Sequence, residues 1–182
     1  EKPGWAEQEP STWWKNLQLA LADVLRQARI DTADIKSIGI SYQMHGLVIV
    51  DHEGRVLRPS IIWCDSRSVD IGNAAFASIG NERCLSSLLN SPGNFTASKL
   101  KWVQQNEPEL YRKIYKAMLP GDFIAARMTG DIKTTISGLS EGILWDFKKN
   151  ELSELILHEY DIDRDLIPNI TPTFGIQGLL SQ

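Results

Sequence analysis

The sequence predicts an α/β domain, a mixed sheet with flanking helices, and three observations carry that prediction. Strand-like alternation and helix-like spacing interleave along the chain instead of falling into separate blocks. An early apolar stretch turns back on itself, which calls for at least one antiparallel pair. The chain has 182 residues, 42% hydrophobic and 23% charged, ordinary values for a globular domain with a real core. No internal repeat, low-complexity stretch or linker divides it, so one domain is expected over residues 1–182.

Glu9-Pro10-Ser11-Thr12 opens a helix, with Pro in the first turn where its missing N–H costs nothing. Trp14, Leu17, Leu21, Val24, Leu25 and Ala28 then fall on one helical face, which runs to about Arg29. Asp31 and Asp34 punctuate a turn. Residues 35–42, IKSIGISY, alternate as a strand; QMHG interrupts, and LVIVD continues as a second strand. Asp51-His52-Glu53-Gly54 is a hairpin turn, with Gly supplying the positive φ. Extended segments follow on both sides of Pro59.

The stretch VDIGNAAFASIG is helical, while residues 81–94 are polar, Ser-rich and assign themselves to no element. Thr96 is expected to cap a helix through Leu100, Val103 and Gln104, and Pro108 to start another. KAML is a short strand, and Asp122 is placed as the cap of a helix, FIAARM, closed by Gly130. DIKTTIS and GILWDF are extended, LSELILHEY is helical, and DLIPNI is an irregular apolar anchor.

Charge narrows the partners. The formal net charge is −4 and no basic block occurs, so nucleic acid is not expected; binding it needs clustered Lys and Arg. No apolar run approaches a membrane span and the first residues carry no signal-like apolar stretch, so a cytoplasmic setting is expected. Cys64 and Cys84 lack metal-type spacing and are expected as reduced thiols, Cys64 as a small buried apolar group. Both ends have the look of cuts, and the chain is expected to be part of a longer protein.

Two stretches could carry chemistry. Gln43, Met44, His45 and Gly46 lie where a strand ends, and in α/β sheets ligands bind beyond strand ends. Donors and acceptors beside an adaptable Met wall suit a polyol; a His satisfied by backbone at a simple turn is the plainer alternative. Trp63, Asp65 and Arg67 form either a salt-bridged cap or an aromatic platform beside a charged pair that senses hydroxyls. Lys99 is expected in a helix-face ion pair, and Trp5, Trp13 and Trp14 as packing against the hairpin.

In order, WAEQEPSTWW, SIGISYQMHGLVIVDHEGRVLRPSIIWCDSR, FTASKLKWVQQNEPELY and MLPGDFIAARMTG resemble the FGGY carbohydrate kinases. Thr96, Lys99, Leu100, Trp102, Val103, Gln105 and Asn106 fall on that family's first signature. The Met44-His45-Gly46 triplet points to members acting on D-xylulose, where members acting on glycerol carry an Arg-Glu pair. Two departures stand out: Asn94 replaces the usual aromatic, Met, Gly or Ser, and residues 134–147 are bulkier than the common version.

The resemblance implies two actin-like (ribonuclease H-like) domains flanking a cleft, with the sugar on the first and ATP with Mg²⁺ mainly between them. Residues 1–182 would be the N-terminal, sugar-binding domain, truncated at both ends. Met44 and His45 would contact the ketose, with Gln43, Gly46, Trp63, Asp65, Arg67 and Asn94 around the same pocket. The Asp-x-Gly-Thr phosphate turn and the catalytic Asp have no counterpart in the sequence, so no catalytic, cofactor-binding or metal residue is expected in this chain. It would be inactive alone and would need a C-terminal kinase domain as partner. His45 would hold a hydroxyl as a neutral donor–acceptor, since phosphoryl transfer rests on positioning and charge neutralisation. A kinase for another pentulose or polyol, a stand-alone sugar-binding module, and a homodimer are left open.

Overall fold

Pro10 and the apolar spacing behind it set the longest element of the computed structural model, which describes residues 2–181. Strand β1 (Glu7–Gln8) leads into helix α1 (Pro10–Ala28), and Arg29 closes it in the left-handed region with its N–H on the Leu25 carbonyl. Trp13, Trp14 and Leu17 pack onto an apolar cluster of Val48, Val50, Met118, Phe123 and Ile124. Leu21 and Val24, on the far half of the predicted face, stay exposed.

The hairpin is present. Strand β2 (Val48–Val50) runs into a turn in which the Asp51 carboxylate accepts the N–H groups of Glu53 and Arg55, and Gly54 takes φ +73°. The return is short, a single bridge between Val50 and Val56. Strand β3 (Ser60–Ile61) pairs antiparallel with β1, and Leu47 bridges to Ile61. On its other edge β2 pairs antiparallel with β4 (Lys116–Met118), Val48 opposite Met118.

Helices fill the spaces between strands. They are α2 (Val69–Ile79), α3 (Asn81–Ser87), α4 (Thr96–Asn106), α5 (Pro108–Tyr111) and α6 (Pro120–Thr129). Strand β5 (Lys133–Thr135), helix α7 (Ile136–Glu141), strands β6 (Trp145–Asp146) and β7 (Glu151–Leu152), helix α8 (Glu154–Tyr160) and strand β8 (Asn169–Thr171) complete the order. β5 and β8 pair parallel and β6 and β7 antiparallel, so both strand senses occur. Leu47, Ile49 and Ile61 meet Leu100 and Val103 of α4 and Ile156 and Leu157 of α8 in the main core. Among the described residues no helix is long and apolar enough to cross a membrane.

Several local expectations change, among them the cap of α6, where Leu119 and not Asp122 holds the cap position. Residues 36–46 are expected in part as a strand, yet among the described residues they make no backbone–backbone hydrogen bond. Alternation specifies an extended, half-buried chain; a strand also needs a neighbour alongside it. Thr96 does not cap α4; Phe95 holds the cap position and the Thr96 hydroxyl donates to the Gly46 carbonyl. Residues 136–141 are helical, with Thr135 accepting the Gly138 N–H as cap, and residues 81–87 form α3. Cys64 is exposed, whereas Cys84 is buried, and both are free.

Candidate functional site

Leu47 enters the core, and the three residues before it turn away from it. His45 takes φ +58°, a left-handed conformation that a side chain adopts only when its surroundings hold it there. Gly46 allows the turn, because a Cβ there would sit 2.6 Å from Pro120 Cγ. Thr96 ties the Gly46 carbonyl, and Lys99 Nζ donates to the carbonyls of His45 at 2.8 Å and Asn94 at 3.0 Å. One buried amine therefore joins the turn at His45 to the turn at Asn94.

The imidazole is held from two further sides. The Phe95 ring meets it edge to face, centroids 4.3 Å apart, and Nδ1 lies 3.0 Å from the Glu141 carbonyl and 3.5 Å from Glu141 Oε2. A carbonyl only accepts, so Nδ1 carries the proton and Nε2 is left as an acceptor in the neutral ring. Among the described residues Nε2 has no hydrogen-bond partner, and the side chain is 22% exposed. Met44, next to it in the chain, and Trp63 are 53% and 56% exposed. Gln43 accepts from the Trp63 N–H at 3.4 Å and lines a groove of about 420 Å³ with Trp13, Tyr42 and Ile124.

Lys99 is not the helix-face ion pair expected of it. Its side chain is buried, and burial pushes the amine down to about 8, with the Asp65 and Cys64 charges opposing the fall. Asn94 is engaged as well: its amide donates to the Asp65 carbonyl and accepts from the Ser68 hydroxyl at 2.8 Å. The turn before it presses on α2 so closely that a Cβ on Gly72 would lie 1.9 Å from the Gly93 carbonyl oxygen.

Asp65 and Arg67 belong to a neighbouring cluster. Asp65 is 0% exposed, and its carboxylate accepts from the Arg67 backbone and guanidinium and from the Ala6 N–H. Burial alone would push the Asp65 carboxyl up; the Arg67 and Ala6 hydrogen bonds and the guanidinium charge outweigh that and hold it below its usual range. The guanidinium lies 3.7 Å from the Trp5 ring and 4.8 Å from the Trp102 ring, with Nη1 2.7 Å from Glu7. Of the residues singled out in the sequence, Gln43, Met44, His45 and Gly46 are consecutive, Gln43 holds the Trp63 backbone N–H, and Lys99 ties the carbonyl of His45 to that of Asn94. The side chains of Asp65 and Arg67 are spent on each other. Glu141 and Phe95 were not singled out; the only pointer to Glu141 was the bulk of residues 134–147.

A sequence model of the FGGY family of carbohydrate kinases, N-terminal domain, matches residues 1–182. The chain belongs to the FGGY carbohydrate kinases. It is 37% identical over 179 residues to a xylulose kinase of Escherichia coli K12, covering 98% of this chain and 36% of that protein. A xylulose kinase of Staphylococcus xylosus is 33% identical over 186 residues, with 37% of its length covered. Among solved structures, a xyloylose kinase from Brucella ovis superposes with a TM-score of 0.91 at 30% identity, over 99% of this chain and 38% of that one. A glycerol kinase of Plasmodium falciparum with ADP, 22% identical over 100% of this chain and 38% of that one at TM-score 0.89, shares the fold. The chain therefore has the actin-like FGGY architecture and spans little more than a third of the length of the relatives it matches.

Proposed function

We propose that this chain is the sugar-binding part of an ATP-dependent carbohydrate kinase that phosphorylates D-xylulose to D-xylulose 5-phosphate. One observation carries the proposal: a histidine at positive φ, Nδ1 committed to a carbonyl, keeps Nε2 without a partner among the described residues, next in the chain to the exposed Met44. That geometry suits a hydroxyl, which donates to Nε2 while the sugar's carbon faces lie on the thioether and indole. Similarity to the xylulose kinases of E. coli and S. xylosus supports the choice of a ketose.

The chain's task in that reaction is positioning. A sugar held at several hydroxyls presents one of them in line with the γ-phosphoryl group, and an analogue lacking a matched hydroxyl leaves buried polar groups unpaired. ATP and Mg²⁺ are assigned mainly to the cleft between this domain and a second, C-terminal one, and the base that takes the hydroxyl proton to residues outside this chain. A cytoplasmic setting goes with the use of ATP, and the chain by itself should bind sugar without turnover.

Replacing His45 with Ala in the intact protein should lower kcat/KM for D-xylulose by about a hundredfold, the loss of a hydrogen bond together with an unpaired hydroxyl. Unchanged kcat/KM would remove His45 from the site. D-Xylulose, D-ribulose and glycerol assayed side by side with ATP test the substrate; a preference for glycerol would replace the ketose reading with a polyol one.

A further inference from the structure

Glu141 ends α7 beside the imidazole, and it is the one side chain at this corner whose chemistry has no account yet. Its carbonyl fixes the proton on His45 Nδ1. Its carboxylate does something else. Oε2 is buried, lies 3.5 Å from Nδ1, and has no hydrogen-bond partner among the described residues. Nδ1 has a single proton, already directed to the carbonyl at 3.0 Å, so it cannot satisfy the carboxylate as well. A buried carboxylate oxygen without a donor costs several times what a satisfied one does, and such atoms are rare in folded chains. The side chain as a whole is 44% exposed although Oε2 is buried, so a ligand would meet Oε2 after a rotation of the carboxylate.

We propose that Glu141 is a specificity-determining sugar ligand, accepting a proton from one hydroxyl of the substrate while His45 Nε2 accepts from another. The inference rests on the sugar-kinase reading above and deepens it. Carbonyl and carboxylate of one residue then divide the work: the backbone orients the ring, and the side chain reads the sugar. An acceptor at Nε2 and a second on the Glu141 carboxylate, which lies 3.5 Å from the same ring's Nδ1, select a ligand that donates twice. That is the chemistry of adjacent hydroxyls on a polyol or ketose, not of a carboxylate or phosphate, which would meet only repulsion there. Hydrogen bonds to a charged acceptor are about twice as strong as neutral ones, so losing the matched hydroxyl should be felt sharply.

The test uses the intact protein, with D-xylulose and its monodeoxy analogues as probes. The backbone carbonyl survives substitution; Glu141→Gln removes the charge but keeps an amide acceptor, and Glu141→Ala removes both. In Glu141→Ala, KM for D-xylulose should rise about tenfold with kcat within about threefold of the starting protein. One deoxy analogue, poorly used by the starting protein, should be discriminated about tenfold less by the variant. Glu141→Gln should fall between. A general packing role would weaken all sugars alike and leave discrimination unchanged, and that outcome overturns the inference while sparing the kinase reading. Absence of any sugar-dependent ATP turnover in the starting protein overturns both. Unfolding midpoints of the variants within a narrow range of the starting protein's show that the loss belongs to binding.

Discussion

Two polar clusters stand side by side in this domain and differ in one respect. In the Asp65–Arg67 cluster the carboxylate is filled by guanidinium and backbone donors and the guanidinium is stacked on Trp5 and Trp102, while Nη1 makes no aligned hydrogen bond and is compensated by the Glu7 charge at 2.7 Å. In the His45–Glu141 corner a ring nitrogen and a carboxylate oxygen have no partner among the described residues, and Met44 and Trp63 offer apolar surface to solvent. Both contain charged side chains and tryptophan, so residue type does not separate them. The state of the carboxylate does: that of Asp65 is filled by donors inside the chain and has nothing left to offer a ligand, whereas that of Glu141 keeps an oxygen unpaired.

The sharpest way to break that comparison is Arg67→Ala. It leaves Asp65 as a buried carboxylate stripped of its counter-charge and empties the space between two tryptophans, which should cost about 3–5 kcal/mol. Arg67→Lys should recover less than half, since an ammonium neither pairs bidentately nor stacks as a plane. Urea unfolding of the chain measures both. A loss under about 1 kcal/mol would mean that a filled carboxylate here does not mark a structural cluster.

The two clusters also show what a sequence can reveal. IIWCDSR left open whether the charged pair was a brace or a reader, because the spacing of Asp65 and Arg67 is the same in both cases. The deciding partners, Glu7 and Trp102, lie far away along the chain. Likewise QMHG pointed to His45, but the group that fixes the ring's proton is a main-chain carbonyl about a hundred residues on, and no residue type announces a carbonyl. Local signals fared better. Pro10 opened α1, Gly54 marked its turn and Gly130 closed α6, each because the requirement is met within a few residues. Residues 35–42 carried a strand's alternation without a strand's neighbour, since pairing depends on what lies alongside.

Asp122 sharpens the comparison from a third position, buried, hydrogen-bonded at Oδ2 and short of charge compensation. Its carboxylate accepts from the Leu119 N–H at 3.2 Å and the Thr134 hydroxyl at 2.9 Å, and burial still pushes it from 3.8 up to about 6. The folded chain thus keeps this proton to a higher pH than the unfolded one does. Its stabilising effect is fully present below about pH 4 and is lost as pH rises through about 6, on the order of 3 kcal/mol. Asp122→Asn, which cannot ionise, should be more stable than the starting chain at pH 7 and about equal at pH 4. Parallel stability–pH curves for the two proteins would show that hydrogen bonds alone suffice at this depth.

The smallest expected effect belongs to the residue that joins the two clusters. Lys99 gives its protons to the carbonyls of His45 and Asn94, and Asn94 in turn bonds the Asp65 carbonyl, so the amine links the open corner to the closed one. Lys99→Met removes two hydrogen bonds but also relieves a buried charge, and these opposing terms leave a net loss of about 1–2 kcal/mol at pH 7. That loss should grow with pH. The amine's value falls from 10.5 to about 8 on folding, so the unfolded chain binds this proton more readily between those limits, and the stability of the starting chain rises through that window. A neutral amine still has a donor for each carbonyl, so the link itself survives deprotonation. Sugar binding should report the same residue differently: freed from its strut, the turn at His45 loses its fixed direction, and KM in the intact protein should rise several-fold with little change in kcat. If Lys99→Met lost stability while KM stayed put, the strut would serve the closed cluster alone, and the orientation of His45 would have to come from the Glu141 carbonyl and the Phe95 ring without it.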